Sequence, residues 1–185
     1  LIERRAAERG LSDRINVLTV DVNELRLQQR FDRVISVEMF EHARNWKALL
    51  ALVAEHLEPG GSAFVHTFAH RRYAYEYEDG WMANRFFTGG TMPAAGLMGQ
   101  LDDDLRVDEQ WWVNGTHYSR TSRDWLENLD ANHSAALQAL AKTAGPNAEA
   151  ALHEWRLFFI AVEELFGFRG GNEWGVVHQR LVRSQ

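Results

Sequence analysis

The chain contains no cysteine, which excludes disulfides, thiolate metal ligands and a cysteine nucleophile. Such a composition fits a reducing compartment, and the cytoplasm is the expected location. Basic residues are also in short supply: 20 Lys and Arg stand against 26 Asp and Glu, for a net charge of -6. Phosphate backbones are bound by clustered Lys and Arg, so no nucleic acid, neither DNA nor tRNA, is favoured as a partner. No apolar run approaches the ~20 residues that a membrane span needs. The nearest, Leu157 to Phe168, is interrupted by Glu163 and Glu164. A signal-peptide pattern, internal repeats, linkers and low-complexity tracts are missing as well. The first residue is not methionine, and Leu1 to Gly10 reads as the tail of an amphipathic helix, so the chain is expected to start inside a fold.

What is present suffices for one domain with a sizeable core, since the chain has 185 residues of which 45% are hydrophobic. After the helix ending at Gly10, the run Ile15 to Val20, closed by Asp21, reads as a buried strand. A second strand, Phe31 to Val37, has the β-branched, nearly continuous apolar centre of a parallel strand covered on both faces. A helix from about Phe40 to Leu57 follows, with Trp46, Leu49, Leu50, Val53 and Leu57 on one face, and Pro59-Gly60-Gly61 stops it. A third strand, Ser62 to Phe68, completes a strand-helix-strand rhythm, which predicts an α/β fold with right-handed crossovers.

From Ala69 to Gln100 the pattern turns irregular and aromatic, as in a lid or substrate-facing insertion. Leu105 to Val113 reads as a strand, and Thr121 to Asp124 as a capping-box-like start of a helix running towards Lys142. After the break at Gly145-Pro146, an apolar helix spans Ala148 to Phe166 and ends at Gly167. Trp174 to Val182 alternates like an antiparallel edge strand.

In an open α/β sheet, ligands bind beyond the carboxyl ends of the strands. Asp21 and Val22 stand at one such end, where an adenine amino group and ring nitrogen can be met by a carboxylate and a backbone amide; Asp21 reads equally well as a turn cap. Glu38, Glu41 and His42 follow the second strand at i, i+3 and i+4, which gathers a carboxylate pair and an imidazole on one local surface suited to a cation and a mobile proton. Acidic residues also simply favour a helix N-terminus. His66, on the apolar strand Phe64 to Phe68, reads by itself as a core histidine, and the aromatics Tyr73 to Phe87 with Trp111-Trp112 suit either packing or a cation-holding pocket.

Asp21-Val22, the stretch Phe31 to His42 and Leu57-Glu58-Pro59-Gly60-Gly61 together resemble a class I S-adenosylmethionine-dependent methyltransferase. Met39-Phe40-Glu41-His42 is similar to the cyclopropane-fatty-acyl-phospholipid synthase superfamily, which includes the coclaurine-type plant N-methyltransferases. The plant branch is the nearer likeness through Phe86 to Pro93, Val113 to Tyr118 and Trp155 to Gly167. The resemblance implies a Rossmann-like methyltransferase sheet, seen as a single partial domain over 1–185 with a lid-like insertion at 69–100 and a helical insertion at 114–171 before the last antiparallel strand. It implies S-adenosylmethionine as cofactor, held by Asp21, Val22 and Val37, a catalytic surface of Glu38, Glu41 and His42 with His66 in second rank, and no metal.

In the lipid enzymes of the superfamily, residues matching Glu41 and His66 and a tyrosine of a late helix hold a bicarbonate base. Phe158 takes that tyrosine's place here, and Glu38 stands where those enzymes usually have glycine. Both departures favour methylation of a small amine over methylene or methyl transfer to an unsaturated phospholipid chain. The superfamily's Gly-rich cofactor loop and the acidic ribose-binding residue are not in the sequence. The chain alone is therefore expected to bind the cofactor poorly, and a non-catalytic remnant is a further alternative.

Overall fold

In the computed structural model, which describes residues 1–184, the chain opens with α1 (Ile2–Glu8), a helix that buries only Ala6. The run Ile15 to Val20, expected as a buried strand, is unpaired extended chain. Ile15, Leu18 and Val20 are exposed: strand structure needs a neighbour to take up its backbone N–H and C=O groups, and among the described residues none lies beside this run.

The second expected strand forms as read, as β1 (Phe31–Val37). The helix expected from Phe40 does not start there. Phe40–His42 is a single 3₁₀ turn, and α2 (Trp46–Glu55) begins where Asn45 can cap it, its side-chain oxygen accepting from Ala48 N–H at 3.0 Å. α2 buries Trp46, Leu49, Leu50 and Ala54 against Ala63 and Val65 of β2 (Leu57–His70). β2 begins earlier than Ser62, because Pro59-Gly60-Gly61 is accommodated as an irregularity within the strand, where the parallel register with β1 shifts.

The irregular aromatic region contains β3 (Tyr75–Glu76), α3 (Trp81–Phe86) and β4 (Thr91–Met92), with β3 and β4 paired antiparallel. β5 (Leu105–Asn114) leads into α4 (Thr116–Ala131), α5 (His133–Ala144) and α6 (Ala148–Gly171). The single helix expected from Thr121 to Lys142 is thus two helices divided at Asn132, and the first starts early. Asn114 Oδ1 accepts from Thr116 N–H at 2.9 Å, satisfying an otherwise orphaned helix donor. Helical geometry in α6 fails at Phe168, Arg169 and Gly170, just after Gly167.

The last strand, β6 (Trp174–Arg183), is antiparallel as expected but is not an edge. The sheet has four strands in the order β1-β2-β6-β5, so β5 takes that edge. Gly175, Val176, Val177, Gln179 and Leu181 of β6 are all buried, which the alternation of the sequence had concealed. One apolar cluster joins α2 to one face of the sheet. The other, around Phe68, Val162, Phe166 and Val176, packs α6 on the opposite face.

Candidate active site

β1 ends in a sharp reversal at Glu38, whose φ of 51° lies in the left-handed region that ordinarily selects glycine. Its backbone N–H donates to His66 C=O on β2 at 3.0 Å, which fixes the turn. A side chain kept there at a cost of about 1 kcal/mol points to a use for it. Glu38 Oε1 lies 2.8 Å from His66 Nε2, and Glu38 Oε2 accepts from the Tyr118 hydroxyl at 2.8 Å. His66 Nδ1 lies 3.0 Å from His178 Nε2 on β6.

Tyr118 reaches Glu38 because α4 starts at Thr116. At Gly115 a Cβ would collide with the carbonyl oxygens of Trp174 and Phe166, so only glycine lets β5 turn into α4 this tightly. Burial, and then the Glu38 charge, push the Tyr118 hydroxyl far up, so it stays protonated and donates. Burial and the neighbouring His66 pull His178 down, which keeps its imidazole neutral.

Glu41 lies in the 3₁₀ turn and is 1% exposed. Its Oε2 accepts from Thr67 Oγ1 at 2.9 Å, while Oε1 has no hydrogen-bond partner among the described residues. Burial, reinforced by the Glu38 charge, pushes its carboxyl up to about 7, against the opposing effect of its hydrogen bonds. Tyr77 is likewise pushed up, by burial first and then by Tyr75, Glu41 and Glu38.

Tyr77 and Tyr118 belong to the wall of an apolar cavity of about 380 Å³, which Phe68, Phe87, Phe158 and Phe166 also line. The cavity lies between the aromatic region after β2 and helices α4 and α6, and its tyrosines connect it to the carboxylate pair. Phe158 packs against Phe86 and Phe87, with ring centroids at 4.4 and 6.0 Å, and offers the cavity no hydroxyl.

The remaining expected site residues lie elsewhere. His42 is exposed and stacks on Phe87 with rings 6.0 Å apart, rather than joining the carboxylate network. With Asp21, Val22 and Met39 it lines an open cleft beyond the end of β1. Asp21 forms a local turn, its Oδ1 accepting from both nitrogens of Asn23 at 2.8 Å. Its Oδ2 has no hydrogen-bond partner among the described residues. Val22 and Val37 share the adjoining apolar groove, where Val37 is 56% exposed.

Tyr118, Thr67 and His178 were not among the expected site residues. Tyr118 lay in a motif quoted only for its resemblance, and His178 in an alternating strand; each gains its place from a pairing that local sequence does not encode.

The mycolic acid cyclopropane synthetase family model matches residues 1–171. The (S)-coclaurine N-methyltransferase of Papaver somniferum is 34% identical over 96% of this chain and 52% of its own length. The cyclopropane-fatty-acyl-phospholipid synthase of Escherichia coli K12 is 27% identical over 98% of this chain and 46% of its own. The chain thus spans about half the length of these curated relatives. A crystal structure of coclaurine N-methyltransferase bound to N-methylheliamine and SAH superposes with a TM-score of 0.90 at 29% identity, over 99% of this chain and 56% of that one. The Mycobacterium tuberculosis cyclopropane synthase MmaA2 superposes at 0.70 with 19% identity, over 98% of this chain and 67% of that one, a likeness of fold alone. With its family model covering all but the final strand, this chain belongs to the mycolic acid cyclopropane synthetase family.

Proposed function

We propose that the protein transfers a methyl group from S-adenosylmethionine to the nitrogen of a small amine. The observation that carries this reading is Glu38, a carboxylate held in a glycine-type backbone conformation beside an aromatic cavity. A cationic amine on an apolar body needs both parts, an anion to draw the nitrogen and ring faces to hold the rest. The likeness to coclaurine N-methyltransferases supports the same class of acceptor. The insertion at 69–100 acts in this reading as the substrate-facing lid, and 114–171 as the helical wall opposite it.

The cofactor supplies an electrophilic sulfonium methyl. Asp21 Oδ2 and the Val22 backbone amide suit the adenine, with Val37 against the cofactor's apolar side. Glu38 attracts and orients the protonated nitrogen. Glu41, with its bare Oε1 and a carboxyl that titrates near neutrality, accepts the proton that must leave before the lone pair can attack. His42, exposed at the open cleft and stacked on Phe87, helps orient the nitrogen. Positioning then carries much of the acceleration, because a strongly negative site would hold back a sulfonium that loses its charge in the transition state.

Methylene or methyl addition to an unsaturated lipid chain would need a bound base. The phenyl ring of Phe158 at the cavity wall has nothing with which to hold one. Incubating the full-length protein with methyl-labelled S-adenosylmethionine, a panel of benzylic amines and phospholipid vesicles separates the readings. Label in the amine fraction is the expected result, and label confined to lipid would refute it.

A further inference from the structure

The geometry points to His178 as a positioning residue that fixes the tautomer of His66 and, through it, the orientation of the Glu38 carboxylate. β2 and β6 are in antiparallel register with His66 directly opposite His178, so both side chains stand on the same face. Their ring centroids are 4.9 Å apart, and Phe64 packs against His178 at 5.2 Å, limiting where that ring can turn. The result is an unbroken file: His178 Nε2, His66 Nδ1, then His66 Nε2 and Glu38 Oε1, at 3.0 and 2.8 Å.

The proton order along this file follows from two premises, an ionised Glu38 and a neutral His66. A carboxylate oxygen offers only lone pairs, so His66 Nε2 must carry the hydrogen it presents to Glu38. Neutral His66 then has a bare Nδ1, which only a donor can satisfy, and His178 Nε2–H is that donor. The opposite order would set a bare His66 Nε2 against the carboxylate at 2.8 Å, lone pair to lone pair. Tyr118 O–H donates to the other oxygen, so every hydrogen bond in the group points towards Glu38.

The charged and titratable groups around His178 agree with a neutral donor. His66 faces it from β2, and Arg180, on its own strand, is tied to Asp108 and Glu109 of β5. Burial, the largest cause, disfavours an imidazolium there. No carboxylate bonds His178 directly among the described residues, and its influence passes to Glu38 only through His66.

The catalytic consequence rests on the amine reading above; the tautomer does not. Nitrogen-15 histidine NMR on the full-length protein at neutral pH, with His66 assigned by its loss in His66→Gln, reads the tautomer directly. The expected spectrum has His66 protonated on Nε2 and bare on Nδ1. Finding the proton on Nδ1 in the unmutated protein overturns the proposal with no further variant needed. His178→Leu should convert His66 to a mixture of tautomers, and His178→Gln, which keeps an N–H donor at similar reach, should restore it. An unchanged His66 in His178→Leu also overturns the proposal.

In amine methylation, kcat should fall roughly tenfold in His178→Leu, the worth of one hydrogen bond in a charged network, and recover in His178→Gln. The KM for cofactor should stay level. Equal kcat in all three proteins would show that the file is structural only and would overturn the positioning role. If the unmutated protein methylates no amine, the amine reading fails while the NMR result still decides the tautomer.

Discussion

Glu38 and Glu41 are three residues apart in sequence, act on one another, and bond to neighbouring residues of β2. Glu41 is buried, with Thr67 as its hydroxyl donor and its other oxygen without a partner among the described residues. Glu38 is half-buried, and an imidazole and a phenol meet its two oxygens. Two adjoining carboxylates thus have contrasting environments, one desolvated and short of donors, the other supplied with two. Burial drives the desolvated one, Glu41, towards its neutral form. On the amine reading proposed above, Glu41 takes up the proton and Glu38 draws the cation.

The comparison breaks most sharply in turnover. Glu38→Gln and Glu41→Gln should each lower kcat for amine methylation by roughly 10²–10³, within the usual range for a positioned acid or base, while leaving cofactor affinity nearly unchanged. Near-normal rates in both, read by labelled methyl transfer, would remove the pair from the mechanism. His42→Ala belongs in the same assay, where turnover should again fall far more than cofactor affinity.

A second test concerns stability. Glu41 titrates at about 7 in the fold against an ordinary 4.5, so the folded state holds its proton more tightly than the unfolded one. The stability this confers is fully present below pH 4.5 and is lost as pH rises through 7, amounting to about 3 kcal/mol. Denaturant titrations should find the protein less stable at pH 8.5 than at pH 5 by up to about this amount. Glu41→Gln should flatten that dependence and leave the alkaline form more stable even as turnover is lost. A Glu41→Gln protein with the same pH profile as the unmutated one would mean that burial of the charge has no cost.

Gly115→Ala probes how the Glu38 side is assembled. The new methyl meets two carbonyl oxygens, and unfolding free energy should drop by about 3 kcal/mol as α4 shifts and Tyr118 leaves Glu38. Tyr118→Phe is the gentlest change. It retains the cavity wall and removes one donor to Glu38, costing about 1 kcal/mol in stability by chemical denaturation. Binding of neutral aromatic ligands should be unaffected, whereas a cationic amine should bind differently.

The parallel β1 and β2, the apolar face of α2 and the end of α6 near Gly167 were legible because periodicity and turn residues act locally. Ile15 to Val20 has a strand's composition yet no strand partner, and composition does not carry that information. Glu38, Glu41 and His66 were legible as candidates, since they flank strand ends. Their helix-start setting was misread because Asn45 outcompetes Met39 as a cap. Tyr118 and His178 join the site through the β5–α4 junction and the β2–β6 register, which depend on contacts between residues far apart in the chain.

The left-handed backbone at Glu38 also bears on how such a site can arise. Glycine and glutamate codons differ by a single nucleotide, and a turn already shaped for glycine accepts the exchange without redrawing the chain path. A cavity with an anion at its edge and one without are thus neighbours in sequence space, separated by about 1 kcal/mol of backbone strain. On the amine reading, acceptor preference turns on one base change at the end of one strand, and the donors His66 and Tyr118 stand ready for the new carboxylate.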